Sequence, residues 1–570
     1  MIEKCTCYSA MVLGLILTLP LAAQLPVEGL DNQKKIKVVS QCDNLETICF
    51  PGELMDVIFR LIPVNQMNWK DYQSVEVAYV VRDLHENIVS QGTAASVNAG
   101  NGLRWVRFDP KIPDASRGWF DIKLYVIGKT NSDRHWLGQG NVTAAILPPL
   151  QARVENPYVG VSMPNGGGAG SYLSAANVLA LKRLGVGQIR VFLRWYKIQP
   201  HEDQPPDWRL MDRIVNVAQQ SNINVLPAVV GTPDWAVDPT AMADRGQGKR
   251  GGLAPLHTMR PDSQKFAAFL KLLVNRYKDR IDEWSIWNEP NALSSLNQRS
   301  VKDYAMIVRT AYAAIKQADP NATLAMAGLS GVKPDYLSQL TRLDASSSIE
   351  VVCVHPYRYP DAIPESDFPK IGVGYGRQNL LKDFADLKQV MSRMPDTVSG
   401  KAIRPIWVTE GGYNTLPGFP PKLHQAVPIK TQAQLLVRTM ALANVGGVSR
   451  YYWWRLFDTY GANMGILGNQ AVGHQPKPAY VALAVFERMA GDMHNATHQQ
   501  FGDVHVIQYT SRNEPMTLAW TTVEQRQVKL LTDKTYILMD MMGMRLNVSD
   551  GNLKLTPSPV YVAGHVTIKP

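Results

Sequence analysis

The chain has 570 residues, 45% of them hydrophobic and 19% charged, with 13 Trp and 22 Tyr. Apolar and aromatic material is ample to offset the entropy of ordering, which excludes disordered, collagenous and low-complexity classes, and the length points to roughly two to four domains. The 59 basic and 49 acidic residues leave a net charge of +10 spread without a dense Lys/Arg block, so no nucleic-acid partner is expected.

At the start of the chain Lys4 precedes an apolar run over 11–23, the length of a signal-peptide core and too short for a membrane span. A cut after Ala23 and export follow as the expectation, to a secreted or periplasmic location. No later stretch reads as a bilayer span and no Cys follows the run to accept a lipid, so a soluble mature protein without membrane insertion is expected. Of the five Cys, Cys5 and Cys7 fall in the segment to be removed, Cys42 and Cys49 form a candidate local pair, and Cys353 reads as a buried lone thiol.

From about residue 31 to 150, short β-type runs such as 74–81 and 121–127 alternate with turn residues, which predicts a β-sandwich over 24–150. After the linker Leu147-Pro148-Pro149-Leu150 the rhythm becomes strands alternating with amphipathic helices. Eight strand candidates stand at 158–162, 188–194, 224–230, 282–287, 323–328, 349–354, 403–409 and 449–454. The natural closure is an α/β fold of the (β/α)8 TIM-barrel type over 151–488. A doubly wound open sheet would call for a phosphate-binding glycine turn after the first strand. The run Gly166-Gly167-Gly168-Ala169-Gly170 lacks that spacing and reads as a flexible loop. Strand-and-turn texture returns at the end of the chain and predicts a small C-terminal β-domain over 489–570.

In such a barrel, reactive groups project from the C-terminal ends of the strands. The fourth candidate ends Trp287-Asn288-Glu289-Pro290 and the seventh ends Val408-Thr409-Glu410-Gly411. Two carboxyls at one height face one pocket, the arrangement glycoside cleavage needs: one protonates the departing oxygen and the other attacks the anomeric carbon. No His/Cys/Asp cluster with ligand spacing is evident, so neither metal nor cofactor is expected, and the partner is a carbohydrate substrate.

These segments resemble the two catalytic segments of the clan A glycoside hydrolases, retaining (β/α)-barrel enzymes, over roughly 155–490. The resemblance implies Glu289 as acid/base, Glu410 as nucleophile and Asn288 on the sugar's 2-hydroxyl. Arg190 matches the clan's strand-two Arg, which keeps the nucleophile ionised; a structural ion pair is its competing role. His355-Pro356-Tyr357 is similar to an element in which the Tyr steadies the nucleophile and the His lies near the acid/base. Of the adjacent Trp453 and Trp454 in the eighth strand, one points inward, and spacing to Asp458 favours Trp454 as the platform under the sugar. Trp195 and Trp235 are loop-borne aromatics suited to stacking on sugars or to packing.

Within the clan, Arg190, Thr232-Pro233-Asp234-Trp235-Ala236, the eighth strand and Gln475-Pro476-Lys477-Pro478-Ala479-Tyr480 look most like glycoside hydrolase family 39, which holds both exo- and endo-acting members. The segment 231–261, with Gly246, Gly248, Gly251 and Gly252, reads as a mobile flap. Trp105 and Trp119 are candidates for the core of the N-terminal domain. The function expected is a secreted retaining β-glycosidase. The alternative is a catalytically silent carbohydrate-binding or cell-surface protein, against which the presence of both carboxyls speaks.

Overall fold

A computed structural model describes residues 35–569 apart from 43, 65–66, 101, 154–156, 164–174, 247–252, 293, 359–362, 368–377, 398–399, 401–403, 417–425, 460–462, 470–472, 533–534, 549 and 565. The apolar run at 11–23, Cys5, Cys7, the glycine run at 166–170, and Gly248, Gly251 and Gly252 lie outside the described residues. Among the described residues no helix is long and apolar enough to cross a membrane.

The chain divides into two compact units, one of residues up to Pro149 with Gly468–Lys477, the other of Leu150–Leu467 with Pro478–Pro570. In the first, a four-stranded sheet (Ile36–Ser40, Val57–Pro63, Leu103–Phe108, Ser96–Gly100) and a five-stranded sheet built around Gly118–Lys129 and Arg134–Ile146 share one apolar core. Alternation decides which side chains enter it: Val57, Phe59 and Leu61 are buried while Ile58, Arg60 and Ile62 are less so. Trp119 is buried and donates its Nε1–H to the carbonyl of Pro476 (2.9 Å), and Thr143 donates to the same oxygen (2.7 Å). Gln475 and Pro476, which fall within the range 151–488 expected for the barrel, thus pack in the first unit. Trp105 is only partly buried. Cys42 and Cys49 do not form the anticipated pair: both are buried thiols outside any disulfide, each beside its own backbone carbonyls, of Asp56 and Ile58 for Cys42 and of Glu46 and Leu54 for Cys49.

The second unit holds the barrel. Its first half runs β1 (Val159–Ser162), α1 (Ala175–Leu184), β2 (Gln188–Arg194), α2 (Arg209–Gln220), β3 (Asn224–Val230), α3 (Ser263–Tyr277), β4 (Glu283–Ile286) and α4 (Val301–Ala318). The second half runs β5 (Thr323–Met326) with a separate continuation (Leu329–Ser330), α5 (Pro334–Arg342), β6 (Val352–His355), α6 (Leu380–Met391), β7 (Ile406–Val408), α7 (Ile429–Val445), β8 (Val448–Trp454) and α8 (Pro478–Ala490). The strands are parallel, and β1 pairs with both β2 and β8. The ring closes where Ala325 bridges in parallel to Val351 and Met326 N donates to Val351 O (3.0 Å).

The helices follow from capping and apolar spacing. Asp262 accepts from the amides of Gln264 and Lys265 to start α3, and the stripe Phe266, Phe269, Leu270, Leu273, Val274 and Tyr277 is buried. Helices α7 and α8 are buried on nearly every face, as a helix packed from more than one side must be. On α7, Arg438 forms a bidentate pair with Glu365 (2.7 Å twice), whose Oε1 also accepts from Trp520 Nε1 (2.8 Å). Trp520 belongs to the terminal β-structure, where five strands from His494–Phe501 to Val560–Ala563 and three more enclose an apolar core.

On α8, Glu487 is buried beside Arg488 and Arg512; burial pushes its carboxyl up to about 7 although both guanidinium groups pull it down. Its folded value thus lies above the ordinary 4.5, so its contribution to stability is present below about 4.5 and is lost as pH rises through about 7. Glu487→Gln should therefore gain melting temperature relative to wild type as pH rises across that window; a difference independent of pH would contradict the burial argument.

Candidate active site

Along β2 the alternation of side chains turns Gln188, Arg190 and Phe192 to one face. Arg190 is fully buried, which is tolerable only for a charge that is paired. Its Nη1 donates to Glu410 Oε1 (2.7 Å) and its Nη2 to Asn288 Oδ1 (2.7 Å). Glu410, just beyond β7, is 6% exposed. Its other oxygen, Oε2, accepts from the Tyr357 hydroxyl (2.9 Å) and lies 3.7 Å from His355 Nδ1. Burial alone raises this carboxyl, but the Arg190 guanidinium, the Tyr357 hydroxyl and the polar Nδ1 edge of His355 outweigh it and hold Glu410 below the ordinary glutamate value.

The second carboxyl arrives on a bent loop. After β4 the backbone takes left-handed angles at Trp287 (φ 73°) and Glu289 (φ 43°), rare for residues with a side chain and a mark of a conformation imposed by its surroundings. Those surroundings are explicit: Trp287 N donates to Val229 O (2.8 Å), Glu289 N to Gly328 O (3.0 Å), and Asn291 exchanges two hydrogen bonds with the backbone of Ser330 (2.9 Å each). The Glu289 side chain, 19% exposed, places Oε1 2.9 Å from His355 Nδ1. The other ring nitrogen, Nε2, is 2.9 Å from Thr409 Oγ1.

One oxygen of Glu289, one of Glu410 and His355 Nδ1 lie within 4.8 Å of one another. That spacing would accept a divalent cation with modest closure. Arg190 already neutralises one of the two carboxylates, which lowers the attraction the cluster offers a metal.

Trp454 and Trp453 separate as alternation requires. Trp453 is fully buried and donates Nε1–H to Met464 O (3.1 Å). Trp454 is partly exposed, meets Phe192 edge to face (centroids 6.0 Å, 83°), carries the Arg455 guanidinium over its ring (4.5 Å), and is joined to Arg455 by a cis peptide bond. Of the two roles open to Trp195 and Trp235, stacking on sugars or packing, the structure shows packing. Trp195 is 1% exposed, stacked on Phe269 (4.8 Å, 17°) and edge-on to Trp235, so neither face is open to a sugar. Trp235 is partly exposed, yet it gathers with Trp195, Gln199 and Lys265, whose ammonium lies 5.2 Å over its ring, and not with the carboxylates. The segment 231–261 is also tethered where it is described: Arg260 binds both Asp238 and Asp303, Thr232 donates to Met259 O, and Gly246 N donates to Asn297 Oδ1.

Sequence reading passed over Thr409 and Gly328. Thr409 stands beside Glu410, but nothing local points to its partner His355, 54 residues away. Gly328 separates β5 from its continuation; a Cβ there would lie 2.0 Å from His355 Nε2 and 2.4 Å from Thr409 Oγ1, and a glycine at a strand end is the one signal that marks it. Removing the central cation should expose the electrostatics: Arg190→Met should cost about 3–5 kcal/mol by leaving a buried carboxylate unpaired. It should also move the Glu410 carboxyl upward in a carbon-13 NMR titration; an unmoved Glu410 would refute the charge-pair account.

No family model matches the chain, and no curated protein matches it. Among solved structures it is similar to a family 39 glycoside hydrolase from the gut symbiont Bacteroides cellulosilyticus WH2, at 19% identity over 93% of this chain and 100% of that one, with a TM-score of 0.67. Lower similarity, TM-score 0.48 and 14% identity in each case, extends to a family 39 β-xylosidase from Caulobacter crescentus (74% of this chain, 98% of that one) and a family 30 endoxylanase from Clostridium papyrosolvens C71 (72% and 97%). The chain thus shares with the Bacteroides family 39 glycoside hydrolase its fold, a (β/α)8 barrel with flanking antiparallel β-structure.

Proposed function

We propose that the chain is a retaining β-glycoside hydrolase that cleaves O-glycosidic bonds in an oligosaccharide or polysaccharide, with Glu410 as nucleophile and Glu289 as acid/base. The observation that carries this reading is the unequal treatment of two neighbouring carboxyls: Glu410 is buried and held ionised by Arg190 and Tyr357, while Glu289 is partly open and its carboxyl lies against the imidazole of His355. Oxygen atoms within 4.8 Å suit the short carboxyl separation of retaining enzymes, about 5–5.5 Å, better than the roughly 6.5–9.5 Å of inverting ones.

The reaction runs in two steps. A Glu410 oxygen attacks the anomeric carbon as the glycosidic bond breaks, and the proton of Glu289 passes to the departing oxygen, leaving a glycosyl ester. Water, deprotonated by Glu289, then attacks the same carbon and releases Glu410, so the anomeric configuration is retained. Arg190 offsets the charge of free Glu410 and orients Asn288 toward the sugar's 2-hydroxyl, and Trp454 offers its partly exposed ring as the platform beneath it. Export by the segment 1–23 and the division into domains 24–150, 151–488 and 489–570 belong to the same reading.

The test is hydrolysis of aryl β-glycosides and a panel of plant and bacterial polysaccharides, with the product anomer followed by NMR. Wild type should release the β-anomer first, Glu410→Gln should be inactive, and Glu289→Gln should lose about 10²–10⁴-fold in kcat. Because Glu410 is held below the ordinary range, the acid limb of the profile should fall below the pH at which a free glutamate titrates. Release of the inverted anomer, or full activity in Glu410→Gln, would reject the assignment.

A further inference from the structure

The acid step poses a problem of direction. Glu289 has two oxygens, and only a proton on the one that faces the pocket can reach a departing sugar oxygen. Oε1 is taken up by His355 Nδ1 at 2.9 Å, so a proton held there would point into the barrel. Something must keep it off that oxygen.

We propose that Thr409 is a positioning residue that confines the transferable proton of Glu289 to Oε2, by donating its hydroxyl hydrogen to His355 Nε2 and so fixing the imidazole proton on Nδ1. This rests on the reading of Glu289 as the acid/base. His355 is fully buried, and its two nitrogens face different chemistry. Nδ1 looks toward two carboxylate oxygens, Glu289 Oε1 at 2.9 Å and Glu410 Oε2 at 3.7 Å, both acceptors. Nε2 looks toward the Thr409 hydroxyl at 2.9 Å, a group able to donate. Of the two neutral tautomers, an N–H at Nδ1 and a lone pair at Nε2 satisfies every partner; the reverse sets a lone pair against Glu410 and leaves Glu289 Oε1 to supply the hydrogen at Nδ1.

The Thr409 hydroxyl is held for this task. Its residue is fully buried, its amide donates to Val354 O (3.3 Å), and its carbonyl accepts from Ser162 Oγ (3.1 Å). Gly328 completes the arrangement by leaving room where a Cβ would collide with both Nε2 and Oγ1. Thr409 has no hydrogen bond to either catalytic carboxylate among those described, so its influence passes through the imidazole.

Two readouts test this. In protein labelled with nitrogen-15 histidine, the His355 resonances are identified among those of 11 His by their loss in His355→Asn, and wild type should show Nδ1 protonated and Nε2 bare. A protonated Nε2, whether Nδ1 is bare or also protonated, overturns the proposal, and this spectrum requires no variant at Thr409. In kinetics, Thr409→Val should lower kcat/KM about tenfold or more for glycosides with alkyl or sugar leaving groups, while dinitrophenyl glycosides, which leave without protonation, change by less than about twofold. Thr409→Ser, which keeps the hydroxyl, should recover most of the loss. Equal slowing on both substrate classes, or no slowing on either, overturns the proposal. A wild type inert on both classes defeats the glycosidase reading itself, and is distinguished from failure of this inference, in which wild type turns over and only the Thr409 comparison fails.

Discussion

The buried pair of Arg190 and Glu410 is the constraint around which the rest of this barrel is arranged. A carboxylate with 6% exposure is costly unless opposite charge and hydrogen bonds replace the water it has lost. Here one oxygen takes the guanidinium and the other takes the Tyr357 hydroxyl, with His355 close behind. The guanidinium is equally committed, because its second arm holds Asn288. Strand β2 and the ends of β4, β6 and β7 are thereby fixed relative to one another by charge as well as by the sheet.

The broken fifth strand serves the same end. A continuous strand with a side chain at 328 would fill the space in which His355 and Thr409 meet, so β5 stops at Met326 and resumes at Leu329. The gap gives Glu289 N a carbonyl to bind, while Ser330 on the continuation clamps Asn291. The left-handed backbone at Trp287 and Glu289 is thus over-determined by neighbours on both sides, which is how an unfavourable conformation persists at a site. A partly open carboxyl held beside a closed one is the result.

Farther from the pocket, α7 is locked between the barrel and the terminal β-structure by a buried ion pair that also accepts from Trp520. Removing one member would leave a buried charge unmatched, so the terminal structure and the barrel share their stability. Glu365 comes soon after Tyr357 in the sequence, so this anchor and the site lie close along the chain.

Much of this was legible in the sequence. The alternation of strands and helices and the separation of Trp453 from Trp454 follow from local periodicity, because a helix or strand face is set by residues a few positions apart. The carboxyls Glu289 and Glu410 were legible by their place at strand ends, and Arg190, Asn288, His355 and Tyr357 by resemblance to the clan A segments; the structure brings those six side chains together. What local pattern could not supply was the choice of distant partner. That Trp195 would be sealed against Phe269, that Cys42 and Cys49 would turn to separate carbonyls, that Gln475 and Pro476 would join the sandwich, and that Thr409 would meet His355 across a gap left by Gly328 were decided only when the elements packed. Period and capping specify the faces of an element, whereas which faces meet depends on the closure of the whole sheet and on the space each neighbour leaves.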